Sequence, residues 1–158
     1  MSAKLILGSV SVGDALPELA VQVTPTTVVL GALASRDWRP MHHDFKFATE
    51  RNGVQDIFLN TPNQAAWFER YVTDWTGPKG RLGRMKFTML GSVFPGDTMV
   101  MRATVESVET DDAGCSWASL LVTLSVGDDV KTDCSVRVAL PGTPDDNPWT
   151  RRGHDWRP

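Results

Sequence analysis

From Leu82 onward the chain alternates apolar and polar residues in four segments, Leu82–Val93, Met99–Glu109, Cys115–Val126 and Val130–Leu140. A period of two marks half-buried strands. Turn residues stand between them: Phe94-Pro95-Gly96-Asp97, Asp111-Asp112-Ala113-Gly114 and Gly127-Asp128-Asp129. The pattern predicts a four-strand antiparallel meander of successive hairpins, with Gly83 or Gly91 marking a bulge in its first strand. Before Gly80 the period is different. Asn60-Thr61-Pro62 is a cap-plus-proline start, and Ala66, Trp67, Phe68, Tyr71, Val72 and Trp75 follow at helical spacing up to Gly77-Pro78. This is the longest predicted helix. With nearly two apolar faces it is expected to be buried rather than to lie on a surface.

Thr24-Pro25-Thr26 opens an earlier helical pattern through Ser35, although its β-branched content leaves a strand as the alternative. Asp44 is placed to cap a short helix from Phe45 to about Arg51, stopped by Asn52-Gly53. Residues 1–23 mix Gly, Pro and short apolar runs, an N-terminal arm with one strand. Their apolar patch stops at Gly8, too short for a secretory signal. A long apolar helix followed by an antiparallel meander gives an α+β class, with the helix wrapped by a curved sheet over residues 1–140. Residues 141–158, rich in Pro, Asp, Arg and Gly, are expected to be a flexible or partner-docked extension.

Composition narrows the function classes. The 158 residues suit one domain with one core. A net charge of −3 excludes a general nucleic-acid surface, leaving room for a local basic patch toward an anionic ligand. No apolar run approaches the ~18 residues of a membrane span. Cys115 and Cys134 have no metal spacing and read as reduced thiols of a cytosolic protein.

The candidate chemistry lies in Asp37-Trp38-Arg39-Pro40-Met41-His42-His43-Asp44. A carboxylate and an imidazole stand five residues apart across a proline, which stiffens the segment into a loop rather than a helix. Held on such a loop, the two could share one water and move its protons. Spacing alone is equally met by a loop cap and a structural histidine. His42 and His43 point opposite ways on extended backbone, so a metal site there is not expected. The central helix start offers unpaired N–H groups and a positive dipole end for an oxyanion. Pro62 cannot donate, which leaves Thr61, Asn63 or Gln64.

Asp37-Trp-Arg-Pro-Met-His42 followed by Asp44 resembles the D-x-N-P-[apolar]-H-x-D signature of the MaoC-like (R)-specific enoyl-CoA hydratases, a hotdog-fold family. The order of parts also agrees, down to a Pro-Gly-Asp-Thr turn at Pro95–Thr98, and the resemblance spans roughly residues 20–140. Ala34–Asp37 (ASRD), His42-His43-Asp44, Asp56–Asn60 (DIFLN) and Arg70–Pro78 (RYVTDWTGP) are similar to the small subunit of two-component steroid side-chain enoyl-CoA hydratases. Two positions depart from the signature. Arg39 replaces its asparagine, and Asn60-Thr61 replaces the His-Gly that often opens the central helix.

The resemblance implies hydration of a trans-2-enoyl-CoA, or dehydration in reverse, on a bulky steroid-like acyl group. Asp37 and His42 are then catalytic, one as base and one returning the proton. Asn60, Thr61 and Asn63 hold the thioester oxygen, Thr61 foremost by its place in the pattern, and Arg39, His43 and Asp44 support the loop. Lys79, Arg81, Arg84 and Lys86 become candidates for the phosphates of coenzyme A, which enters as part of the substrate, so no separate cofactor or metal is expected. One or two of Phe58, Trp67, Phe68, Tyr71 and Trp75 could wall an acyl tunnel. An exposed sheet edge implies a homodimer or a heteromer with a second MaoC-like subunit. A hotdog thioesterase and a non-catalytic hotdog subunit are the competing functions.

Overall fold

The computed structural model describes residues 5–158, so Met1–Lys4, the first part of the expected N-terminal arm, lies outside the described residues. The chain enters through β1 (Leu19–Gln22) and α1 (Pro25–Ala34). Thr24 and Thr27 close a reciprocal capping box at the start of α1, and Pro25 fills its first turn. Helix therefore wins over the strand alternative. A 3-10 turn at Pro40–His42 follows, within the segment expected to be free of helix. It comprises only three residues, and the chain leaves it at Asp44, whose Oδ1 accepts from Phe47 N at 3.0 Å and caps α2 (Phe45–Glu50).

Helix α3 (Thr61–Thr76) starts at Asn60, whose side chain accepts from Asn63 N, and stops at Gly77 with φ +74°. Only one of its faces is buried, that of Asn63, Gln64, Phe68, Tyr71, Val72 and Thr76. The expectation of burial on both faces is corrected here: Ala66, Glu69, Arg70 and Asp74 are exposed and Trp67 is half-buried. Residues Ala66 and Trp67 instead line a groove of about 520 Å³ against Leu30, Gly31 and Ala34 of α1.

Strands β2 (Arg81–Met89), β3 (Thr98–Thr110), β4 (Ser116–Val126) and β5 (Asp129–Leu140) join β1 in one antiparallel sheet of order β1-β3-β4-β5-β2. Inward residues meet in register, Ala103 opposite Val122 and Val122 opposite Cys134, and build the core beneath the buried face of α3. The meander is correct for β3, β4 and β5 but not for β2. Rather than forming a hairpin with β3, β2 crosses to the far edge and pairs with β5. The Phe94–Asp97 turn serves β1 instead, through Val23 N to Asp97 O (2.8 Å) and Gly96 N to Val23 O (2.9 Å). Alternation fixes which residues face the core, and not which strand becomes the neighbour. The register of β2 shifts between Leu82 and Arg84, so Gly83 marks the bulge, where an added Cβ would run into the Trp117 ring and Pro158.

The segment after Leu140 lies on the chain's own sheet. Trp156 packs on Trp117 with ring centroids 4.9 Å apart, and the Arg81 guanidinium sits 3.6 Å from the centre of the Trp156 ring. Among the described residues no helix is long and apolar enough to cross a membrane.

Candidate active site

Three pieces of chain converge at the N-terminal end of α3: the end of α1, the Asp37–His42 loop and the Phe58–Thr61 entry. Proline fixes the loop, and His42 N closes it on Arg39 O at 3.2 Å. The Asp37 and His42 side chains are 8% and 5% exposed, and His42 Nε2 lies 3.5 Å from Asp37 Oδ2. His42 Nδ1 is 2.8 Å from Phe58 O, a carbonyl that can only accept, so this ring nitrogen carries a proton. Its other nitrogen, Nε2, is left facing Asp37. The Phe58 ring meets the imidazole edge-on at 4.8 Å and restricts its rotation.

Asp37 is the more heavily engaged member of the pair. Arg39 grips it in a two-point fork, Nε to Oδ1 at 2.9 Å and Nη2 to Oδ2 at 3.1 Å. Asn60 Nδ2 adds a bond to Oδ2 at 3.0 Å. The Arg39 fork, with the Asn60 amide behind it, holds the Asp37 carboxyl well below the usual carboxylate range.

Asn60 joins the site to the helix. Its Oδ1 accepts from Asn63 N at 3.2 Å while its Nδ2 donates to Asp37 and to Ser35 Oγ (2.8 Å). Both ends of the amide are spent within the protein, so the Asn60 side chain orients the site and offers the substrate no donor. Asn63 is engaged as well, its N–H with Asn60 Oδ1 and its Nδ2 with Thr27 O at 3.1 Å. Gln64 N is taken by Asn60 O. Of the three N–H groups considered at this helix start, only that of Thr61 lacks a partner among the described residues. Thr61 lines a cavity of about 190 Å³ with Arg39, Met41, His42, Phe58, Leu59, Asn60 and Met89.

Other expected site residues lie elsewhere. His43 is exposed, and its side chain makes no hydrogen bond among the described residues, so the expectation that it braces the loop is corrected; the Asp44 carboxylate caps α2 through Phe47 N. Lys79, Arg81 and Arg84 spend their donors on the C-terminal segment: Lys79 on Pro144 O (2.7 Å), Arg81 on Pro148 O and Arg151 O (both 3.1 Å), Arg84 on Pro158 O (2.9 Å). The basic run expected to meet phosphates is, for these three residues, a clamp on the tail. Lys86 stands apart, exposed and without a tail contact. Of the aromatics, only Phe58 lines the cavity; Phe68 and Tyr71 are buried in the core, Trp67 lines the α1–α3 groove, and Trp75 lines a separate hollow with Tyr71. Sequence reasoning missed Ser35 and Met89. Ser35 Oγ orients the Asn60 amide, and Met89 Sδ lies 3.1 Å from Thr61 Oγ1. Ser35 stands within the ASRD stretch noted above, which does not tell that its hydroxyl meets Asn60, and Met89 carries no sequence signal and reaches the site only through the fold.

The MaoC-like domain family matches residues 11–120. The chain belongs to the MaoC-like family. Among curated proteins, the 3-oxo-4,17-pregnadiene-20-carboxyl-CoA hydratase beta subunit of Mycobacterium tuberculosis is 36% identical over 97 residues, 61% of this chain and 74% of that protein. Among solved structures, the ChsH1-ChsH2 complex from Mycobacterium tuberculosis superposes with TM-score 0.75 at 28% identity, covering 82% of this chain and 98% of the matched one. The (R)-hydratase from A. caviae involved in PHA biosynthesis superposes with TM-score 0.74 over 84% of this chain and 98% of its own, and at 20% identity shares the fold. A MaoC-like hotdog is thus the architecture: α3 lies against the five-stranded sheet, and the signature loop abuts its N-terminal end.

Proposed function

We propose that this chain is an enoyl-CoA hydratase subunit that adds water reversibly across the C2=C3 bond of a trans-2-enoyl-CoA. The observation that carries the reading is that His42 and Thr61, whose N–H has no partner among the described residues, line one cavity, with Asp37 3.5 Å from His42 Nε2. Hydration needs a group that moves protons at the water and a donor for the charge that grows on the thioester oxygen. His42 with Asp37 supplies the first and Thr61 the second. The positive end of α3 adds to the field on that oxygen. No metal or separate cofactor enters the proposed reaction, and coenzyme A comes with the substrate.

The similarity to a steroid-CoA hydratase subunit supports a bulky acyl group as substrate. A cavity of about 190 Å³ is below the ~300–1,000 Å³ of ordinary ligand sites, so the acyl site would be completed across an interface. A second MaoC-like subunit is the partner we propose, in keeping with the relative that is named as one subunit of a hydratase. A thioesterase is the weaker reading, because the carboxylates of α3, Glu69 and Asp74, lie toward its far end and are exposed.

Purified chain, alone and mixed with candidate MaoC-like partners, should be given crotonyl-CoA and a steroid enoyl-CoA while the enoyl thioester absorbance is followed. Loss of absorbance without release of free thiol is expected. Thiol release would replace the reading with a thioesterase, and no reaction in any mixture would leave a non-catalytic subunit.

A further inference from the structure

The signature asparagine is Arg39 in this chain, and the structure shows what the exchange does. A carboxylate offers about four acceptor positions. In Asp37 all of them are filled: Arg39 Nε and Arg39 N on Oδ1 at 2.9 and 3.3 Å, Arg39 Nη2 and Asn60 Nδ2 on Oδ2 at 3.1 and 3.0 Å. No position is left from which this carboxylate could take a proton from water. His42 differs. Its Nδ1–H is committed to Phe58 O, and among the described residues no hydrogen bond occupies Nε2, 3.5 Å from Asp37.

We infer that Arg39 is a positioning residue that fixes Asp37 as a permanent anion, so that His42 Nε2 alone carries both proton transfers of the hydration. This rests on the hydratase reading above. His42 Nε2 takes one proton from water as the water oxygen bonds to C3. The C2=C3 electron pair moves toward the thioester, and the negative charge rests on its oxygen beside the Thr61 N–H. The imidazolium so formed faces Asp37 and is stabilised by its charge. It then returns the proton to C2 as the enolate collapses, leaving His42 neutral and one water added. Asp37 takes up no proton at any step. Arg39 and Asp37 differ in exposure, 66% against 8% for their side chains, so the fork closes the site from its solvent side. The groups around Asp37 that carry or can take charge are Arg39 and His42, both on its own loop; α1 contributes Ser35 and the α3 entry Asn60, neither of which titrates.

The test uses carboxyl-labelled aspartate and NMR, with Asp37→Asn to assign the resonance, in wild type, Arg39→Asn and Arg39→Lys. In wild type the Asp37 signal should stay flat while pH falls from 7 to roughly 3.5, beneath the ordinary aspartate value of about 3.9. Arg39→Asn should bring its midpoint up into the ordinary range, and Arg39→Lys, which keeps the charge without the fork, should place it between the two. Wild-type titration at or above the ordinary value, or a curve unmoved in Arg39→Asn, overturns the clamp. A second reading separates the proton carriers. Wild-type kcat/KM for hydration should rise with pH through a single ionisation and then stay level. A bell-shaped profile, with a second group that must be protonated, overturns the sole role of His42. The NMR titration needs no turnover, so a chain that hydrates nothing would remove the hydratase reading while the fate of Asp37 was still decided.

Discussion

Replacing Asn60 probes the joint between helix and site most sharply, because one buried amide (1% exposed) serves three partners. Asn60→Ala removes the cap of α3, worth about 1 kcal/mol. It also removes a bond to an ionised carboxylate, worth roughly 1.5–3 kcal/mol. The sum is about 2.5–4 kcal/mol, or roughly 5–15 °C in Tm for a domain of this size. Asn60→Asp isolates the two effects. An aspartate keeps the cap oxygen for Asn63 N but turns the donor facing Asp37 into a second carboxylate. Two carboxylates that close share a proton more readily than either holds one alone. This variant should therefore fall below wild type at pH 7 and regain stability toward pH 5, as one of the pair is protonated. Urea unfolding followed by circular dichroism at both pH values measures each difference. Asn60→Ala within about 0.5 kcal/mol of wild type, or Asn60→Asp with no recovery at pH 5, would refute the double role.

Four further outcomes follow from the same structure. Gly31→Ala drives a Cβ into the Asn63 amide at the α1–α3 crossing and should cost about 1–3 kcal/mol in urea unfolding, with loss of the Asn63 bond to Thr27 O. Burial pushes the Cys134 thiol up to about 12 and the Cys115 thiol upward, so a disulfide reagent at pH 8 should find neither thiol in the native chain and both after unfolding in denaturant. Asp111 accepts from Trp117 Nε1 at 2.8 Å, which lowers its pKa; its stabilisation is full above the ordinary aspartate value near 4 and lost as pH falls toward the folded value. Asp111→Asn should therefore flatten the acid limb of a Tm-against-pH curve below about pH 5. Deleting residues 141–158 uncovers Trp117 and frees Lys79, Arg81 and Arg84, so Tm should drop while tryptophan emission shifts to the red.

Much of the fold was legible because local chemistry and tertiary structure agree. Thr24 and Asp44 cap the helices they were expected to cap, Asn60-Thr61-Pro62 opens the central helix with Asn60 as its cap, and inward residues of β3, β4 and β5 alternate as read. The crossing of β2 was not legible, since Phe94-Pro95-Gly96-Asp97 satisfies a hairpin turn equally well and only its bonds to Val23 show otherwise. At the site, the Asp37–His42 pairing was readable from the proline-stiffened motif and the resemblance. The occupation of Asn60 and Asn63 was not, because whether an amide serves protein or ligand depends on Ser35 and Thr27, which lie 25 and 36 residues away. Lys79, Arg81 and Arg84 mislead for a related reason: a basic cluster announces an anion, and here it meets backbone carbonyls.

The central claim is that this loop performs hydration through His42. Its most direct test is the turnover of an enoyl-CoA by wild type and His42→Gln, each shown folded by its melting curve and each assayed alone and with the same MaoC-like partner. General acid–base groups contribute about 10²–10⁴-fold, so His42→Gln should lose at least 100-fold in kcat with KM little changed. Turnover within tenfold of wild type would contradict the account.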